Sequence, residues 1–220
     1  MMRTDYERSL KKLQDKVLSM GSMVEQALIL SMDAMKNRDL ALADTVIKQD
    51  ERINARRFEI EEDCIHLIAT QAPMASDLRV IVAVLNIIID LERIGDHAAG
   101  NAKIAVMLGD EPPLKPLIDL PRMAEKTADM LRRSLDAFVA RDAAAARKVT
   151  EDDDEIDGLY DQIFRELLLF MAENPKTASR ATRLIWAGHN LERSADRVTN
   201  ICERVVFVVT GKQEEIGGKY

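Results

Sequence analysis

At 220 residues the chain is long enough to bury a sizeable core as one large domain or two small ones, and with 47% hydrophobic residues, 31% charged residues, nine Gly and six Pro it favours long amphipathic helices over sheets. A formal charge of -7 with no Lys/Arg block argues against direct nucleic-acid binding. The opening MMRTDYERSLKKLQDK lacks a signal-peptide core, and the longest apolar run, Val80 to Ile89, is broken by Asn86 and too short to span a bilayer, so a cytoplasmic protein is expected.

The first predicted helix, about Thr4 to Lys36, places Leu10, Leu13, Val17, Met20, Val24, Ala27 and Ser31 on one stripe, the seam of a helical bundle. The second carries Ala43, Val46, Asp50, Ile53, Arg57, Ile60, Cys64 and Leu67 and stops at Pro73. The third, about Asp77 to Met107, has its seam on Ile81, Leu85, Ile88, Glu92, Gly95, Ala99, Ala102 and Val106. LGDEPPLKPLIDLP, from Leu108 to Pro121, holds four of the six prolines and reads as a connection.

The second half repeats the first. The fourth predicted helix, about Pro121 to Ala140, aligns Ala124, Thr127, Leu131, Ser134 and Phe138. The fifth, with Ala146, Val149, Asp153, Ile156, Tyr160, Ile163, Leu167 and Phe170, follows the second helix at an offset of 103, as from Ala43 to Ala146. The sixth, with Ala181, Ile185, Gly188, Glu192, Ala195, Thr199, Cys202, Val206 and Val209, follows the third at an offset of 100, as from Glu92 to Glu192. These repeats predict an all-α fold of two tandem, pseudo-symmetric three-helix bundles built from six long antiparallel helices. The predicted domains are residues 1–109 and 121–220, joined by the Pro-rich connection 110–120.

Carboxylates interrupt the apolar seams. Asp50 and Asp153, Glu92 and Glu192 stand on them, and each has a polar partner four residues later on the same face: Asn54, Asp157, Asp96 and Asp196. Folding each hairpin about its turn brings these residues together, because Asp50 and Asp96, like Asn54 and Glu92, are equidistant from Pro73. The Asp153/Asp196 and Asp157/Glu192 pairs centre on Asn174-Pro175 in the same way. Four oxygen-rich side chains on a partly buried seam repel unless something neutralises them. A metal per half would do so, with iron, manganese, magnesium or calcium suited to oxygen ligands and zinc less so; salt bridges from Arg52, Arg93 or Arg193 are the metal-free alternative. The second site, with four carboxylates, is expected to be the stronger, and Asn200 is a further oxygen donor beside it.

Neither His97 nor His189 is duplicated in the other half, where Arg197 and Ile89 stand, so both read as local variation. His66 and Asp63 lack the repeated Glu-x-x-His of di-metal oxidases, which argues against an oxygen-activating enzyme. Cys64 and Cys202 follow no CxxC spacing and fall on apolar stripes, as core residues would. A bundle-type metallohydrolase and a purely structural coiled-coil protein stay open as alternatives.

LIATQAP at Leu67 to Pro73, Asp77-Leu78-Arg79, DLERIGDH at Asp90 to His97, NLERSADRVTNICE at Asn190 to Glu203 and the ending Val209-Thr210-Gly211 together resemble the PhoU family of phosphate-specific transport accessory proteins. The resemblance covers both halves. It implies a cytoplasmic negative regulator of the phosphate-starvation response that is not an enzyme, often a homodimer. Such an adaptor couples the high-affinity phosphate ABC transporter, through its ATPase, to the phosphate-regulon histidine kinase and restrains phosphate uptake; it reaches the membrane only through these partners. Regulation of another transporter by a PhoU-like metal-binding protein is the alternative. The resemblance also implies a divalent or trivalent metal, iron or zinc clusters being known in the family, on Asp50, Asn54, Glu92 and Asp96 and on Asp153, Asp157, Glu192 and Asp196. The first half departs from the pattern: Gly100 stands where the second has Asn200, and Asn101 is displaced by one residue.

Overall fold

The computed structural model describes residues 2–216, with the side chains of residues 6–216; Met1 and residues 217–220, counted in the predicted bundles, lie outside them. Within these bounds the chain folds as seven α-helices: α1 (Met2–Asn37), α2 (Leu40–Gln71), α3 (Ala75–Leu108), α4 (Asp119–Ala140), α5 (Ala143–Thr150), α6 (Asp153–Glu173) and α7 (Ala178–Thr210). A single 3-10 turn, Pro175–Thr177, leads into α7. Helices α1, α2 and α3 pack on one another, as do α4, the α5/α6 pair and α7. The two bundles join where α3 lies on α7 and α1 on α4.

Local chemistry sets the helix ends. Asp39 caps α2 by accepting from the Leu42 amide at 2.9 Å, and Asp142 caps α5 by accepting from Ala144 and Ala145. Helix α2 stops at a left-handed Ala72, one residue before Pro73, which cannot continue the ladder. Pro121 sits inside α4, in the first turn, where its missing N–H costs nothing.

The fifth predicted helix is not continuous. It breaks at Glu151-Asp152 into α5 and α6, although Ala146, Val149, Ile156 and Ile163 stay buried on one stripe through the break. Five adjacent acids repel along one helix, whereas starting a new helix places Asp153, Asp154 and Glu155 at its positive N-terminus. The Asp152 side chain turns away to pair with Arg133 on α4.

Most seam positions are buried, including Val17, Met20, Val24, Ile53, Ile60, Ala124, Leu131 and Cys202, while Val106 and Val209 are exposed. Both cysteines are free core residues whose thiols burial pushes up to about 12. Helix α3 buries a second stripe, with Val84, Ile87, Leu91, Ile94, Ala98 and Asn101, because it serves both bundles. Among the described residues no helix is long and apolar enough to cross a membrane.

Candidate metal centre

The acidic residues of the second half lie where α6 packs on α7. Asp153 opens α6, Asp157 follows one turn later, and Glu192 and Asp196 occupy one face of α7. Asp153 is pushed up to about 7, by burial first and then by the charges of Asp157, Asp196, Glu192 and Asp154. Burial and Asp196 likewise raise Asp157 and Glu192. Asp153 Oδ1 and Glu192 Oε2 are buried without a hydrogen-bond partner, the state that buried oxygen atoms ordinarily avoid.

The first set sits between α2 and α3. Asp50 is raised by burial and then by Asp96, and is eased by Lys103 and by Asn54, whose Nδ2 donates to Asp50 Oδ2 at 3.4 Å. Asp50 Oδ1 and Asn54 Oδ1 are buried and unpartnered. Gly95 lets the helices approach: a Cβ there would stand 3.1 Å from Ile53 Cδ1 and 3.6 Å from Asp50 Oδ1. Glu92 lies a turn before Asp96, its Oε2 3.6 Å from Arg93 Nε. Arg93 and Arg193 each also reach the Asp three residues on, at 3.1 Å.

Among the described residues no three His, Cys, Asp or Glu side chains are arranged to hold a metal ion as they are oriented. The partly exposed Asp96 and Asp196 are instead directed to Arg93 and Arg193. The donor set is oxygen-rich in both halves and fits a hard or borderline cation.

Other candidates from the sequence go elsewhere. Asn200 donates to Asp90 Oδ1 at 3.4 Å across the α3–α7 joint, so its amide faces the other bundle rather than the acidic set. Asn101, fully buried, accepts from Asn190 Nδ2 at 2.9 Å. His97 is pushed down to about 4 by burial and the neighbouring Arg197, and its Nδ1 lies 3.2 Å from Ser194 Oγ. His189 Nδ1 stands 3.3 Å from Glu192 Oε2, beside the Tyr160 ring at a 6.0 Å centroid distance. Spacing would have found both residues, since His189 precedes Glu192 by three and Tyr160 follows Asp157 by three, each on the face of its acid.

Comparison with known proteins gives one consistent answer. The PhoU domain model matches residues 17–105 and again 120–205. A phosphate-specific transport system accessory protein PhoU homolog from Clostridium acetobutylicum is 38% identical over 217 residues, 98% of this chain and 99% of that protein. Its counterpart from Aquifex aeolicus is 36% identical over 205 residues, 93% of each. The crystal structure of the phosphate transport system regulatory protein PhoU from Streptococcus pneumoniae superposes with a TM-score of 0.89 at 30% identity, covering 96% of this chain and 100% of that one. That of PhoU from Pseudomonas aeruginosa gives 0.89 at 34%, covering 94% and 100%.

Proposed function

This chain belongs to the PhoU family, and from that premise we propose that it is an accessory protein of phosphate-specific transport, a cytoplasmic and non-enzymatic negative regulator of the phosphate-starvation response. The observation that carries the reading is the full-length similarity to proteins described as phosphate-specific transport accessory proteins. As an adaptor the chain couples the transporter ATPase to the phosphate-regulon histidine kinase and restrains uptake. It meets the membrane only through these partners, and it acts as a homodimer of two-domain subunits, residues 1–109 and 121–220. Exposed apolar side chains, Phe58 and Ile65 on α2, Leu168 and Leu169 on α6 and Trp186 on α7, offer the kind of surface that protein partners cover.

The acidic sets supply structure rather than chemistry in this reading. Asp50, Asn54, Glu92 and Asp96, and Asp153, Asp157, Glu192 and Asp196, would hold a divalent or trivalent metal, an iron or zinc cluster included. Its charge would offset the repulsion and tie α2 to α3 and α6 to α7. Four buried oxygens without hydrogen-bond partners, on Asp50, Asn54, Asp153 and Glu192, support this.

The decisive experiment is alkaline phosphatase activity in phosphate-replete cells with the gene deleted and then restored. High activity on deletion, returning to baseline on restoration, is expected. Unchanged activity would overturn the repressor role and redirect the protein to another transporter.

A further inference from the structure

The turn between α2 and α3 is strained where its counterpart in the second half is not. Ala72 and Ala75 both hold left-handed φ angles, 43° and 36°, and Met74 between them is 80% exposed. In the second half Asn174 accepts from the Lys176 amide and Thr177 donates to Phe170 O, so that turn is satisfied by its own polar groups. From the strained turn an apolar strip runs down both helices of the first hairpin. Ile68 and Leu78 are each five residues from Pro73, Ile65 and Val82 eight and nine, Phe58 and Ile89 fifteen and sixteen, and all six side chains are exposed. Residues at matching distances from the turn lie opposite each other here, as the contact of Gly95 with Ile53 shows. At 3.6 residues per turn, positions 58, 65 and 68 share a sector of about 80° on α2, and 78, 82 and 89 one of about 40° on α3.

The repeat supplies an internal comparison. At offsets of 103 and 100, Phe58, Val82 and Ile89 correspond to Asp161, Thr182 and His189, so the equivalent face of the second hairpin is interrupted by polar residues at half of its positions.

Charge decides what covers the strip. From Asp50 to Asp96 the hairpin holds ten Asp/Glu against five Arg and no Lys, with Glu61 and the exposed Glu62 beside the apolar residues. Such a surface repels an anionic bilayer. A second copy of this chain, itself of formal charge -7, would set acid against acid. A helix with Lys/Arg flanking its apolar face is attracted instead, and can lay that face along the groove between two helices.

We propose that the outer face of the α2–α3 hairpin docks a basic amphipathic helix of a protein partner, about three turns long to match the roughly 15 Å from Phe58 to Ile68. The inference rests on the adaptor reading and deepens it by assigning the face and the chemistry of what binds there. It requires no metal.

Two arms test it with the full chain. In the first, a fluorescent 14-residue Leu/Lys peptide of helical amphipathic spacing is titrated at physiological salt beside a shuffled peptide of the same composition. The amphipathic peptide is expected to bind more tightly, and Ile65→Gln combined with Val82→Gln to weaken it at least about tenfold. Ile118→Gln combined with Val139→Gln, exposed apolar positions elsewhere, leaves binding unchanged, and Glu61→Gln combined with Glu62→Gln weakens it and flattens its salt dependence. Unfolding midpoints confirm that each variant is folded. Equal binding of the shuffled peptide, or no loss in the Ile65/Val82 variant, overturns the assignment. So does binding to phosphatidylglycerol vesicles, or self-association of the chain, that the same variant abolishes, since the occupant is then a membrane or a second copy. In the second arm the variants replace the wild-type gene and alkaline phosphatase is read in phosphate-replete cells. The Ile65/Val82 variant is expected to match the deletion and the Ile118/Val139 variant the wild type. High activity on deletion with full repression by the Ile65/Val82 variant refutes the face and leaves the adaptor standing; no rise on deletion removes the adaptor reading and this assignment with it.

Discussion

Asp90 and Asn200 meet across the joint of the two bundles, the Asn200 amide donating to the Asp90 carboxylate at 3.4 Å. Arg197 approaches the same oxygen at 3.4 Å, and Asp90 is only 7% exposed. The repeat makes this pairing informative. At an offset of 100, Asn190 stands where the first half has Asp90, and Gly100 where the second has Asn200. Asn190 lies over Gly100, where a Cβ would be 3.2 Å from Nδ2, and bonds Asn101 instead. The halves are therefore complementary at the joint rather than identical, and α3 satisfies its polar groups on α7 better than it would on another α3. Polar partners that fit one pairing only are an established way to specify register.

Asp90→Ala should destabilise the protein by about 1–2 kcal/mol in urea unfolding, since it leaves Asn200 unpaired and Arg197 facing a cavity; the long distances and the partial exposure of Arg197 keep the figure below that of a fully buried pair. Burial raises the Asp90 carboxyl despite Asn200 and Arg197, so the ionised form is held at a cost. Asp90→Asn removes that cost and keeps one hydrogen bond. It should fall within about 1 kcal/mol of wild type, and a larger loss for Asn than for Ala would refute this account of the joint.

The metal-free protein should respond to pH through Asp153. With its folded value raised to about 7 from an ordinary 3.8, the folded state holds more protons than the unfolded one between those values, so stability falls as pH rises from about 4 to 7 and is level above. Asp50, Asp157 and Glu192, all raised, act in the same direction. His97, lowered to about 4, acts oppositely: its contribution is present above the unfolded value near 6.5 and is lost as pH falls toward 4. Asp153→Asn should therefore gain on wild type as pH rises from 4 to 7, by about 1–2 kcal/mol after discounting for solvent screening. Denaturation midpoints at pH 4.5 and 7.5 measure it, and a constant difference between the two proteins would contradict the sign.

Much of this architecture is legible because each helix carries a spaced apolar stripe toward its own bundle. Leu13, Val17, Met20 and Val24 on α1, or Leu131 and Phe138 on α4, were read from spacing and are buried. Helix α3 serves both bundles, so its seam says little about the second stripe of Ile87, Leu91, Ile94 and Asn101, and the exposure of Val106 at the far end was missed. The break at Glu151-Asp152 left no mark on the apolar period, which runs straight through it. The equidistant acids were placed by helix geometry alone, since rise per residue fixes which turns meet across a hairpin. The repeat offers no signal for His189, because Ile89 stands at the equivalent position of the first half, and its 3.3 Å contact with Glu192 is confined to the second.

Metal addition should raise the melting temperature. At a free concentration one hundred times the dissociation constant the stabilisation is about 2.7 kcal/mol, or roughly 5–10 °C for a chain of this size. Alanine at Asp153, Asp157, Glu192 and Asp196 should abolish most of this and most of the bound metal by elemental analysis. The same change at Asp50, Asn54, Glu92 and Asp96 should cost less, because that set has one carboxylate fewer and Lys103 near Asp50. Equal metal content in wild type and both variants would rule out the acidic sets as the site.

The connection between the bundles is held by its own side chains, with Leu114 and Leu117 packed against the core and Lys115 paired to Asp119 and Glu166, and by arginines that reach it from both sides. Arg180 Nη1 donates to Pro112 O at 2.9 Å and its Nε lies 3.2 Å from Glu111, while Arg38 Nη1 donates to Asp110 O at 3.2 Å and Arg183 to Met107 O. Arg38 belongs to the first bundle and Arg180 to the second, so the strap is clasped from both sides. Each arginine is at least partly solvated, which limits any single contact to about 1 kcal/mol or less. Because the main joint is the buried α3–α7 and α1–α4 packing, Arg38→Ala with Arg180→Ala should leave the global unfolding midpoint nearly unchanged yet loosen residues 109–118 alone. Faster hydrogen exchange in that segment, with protection in α3 and α7 intact, is the expected result. Parallel loss of protection in α3 would mean that the clasp helps hold the two bundles together.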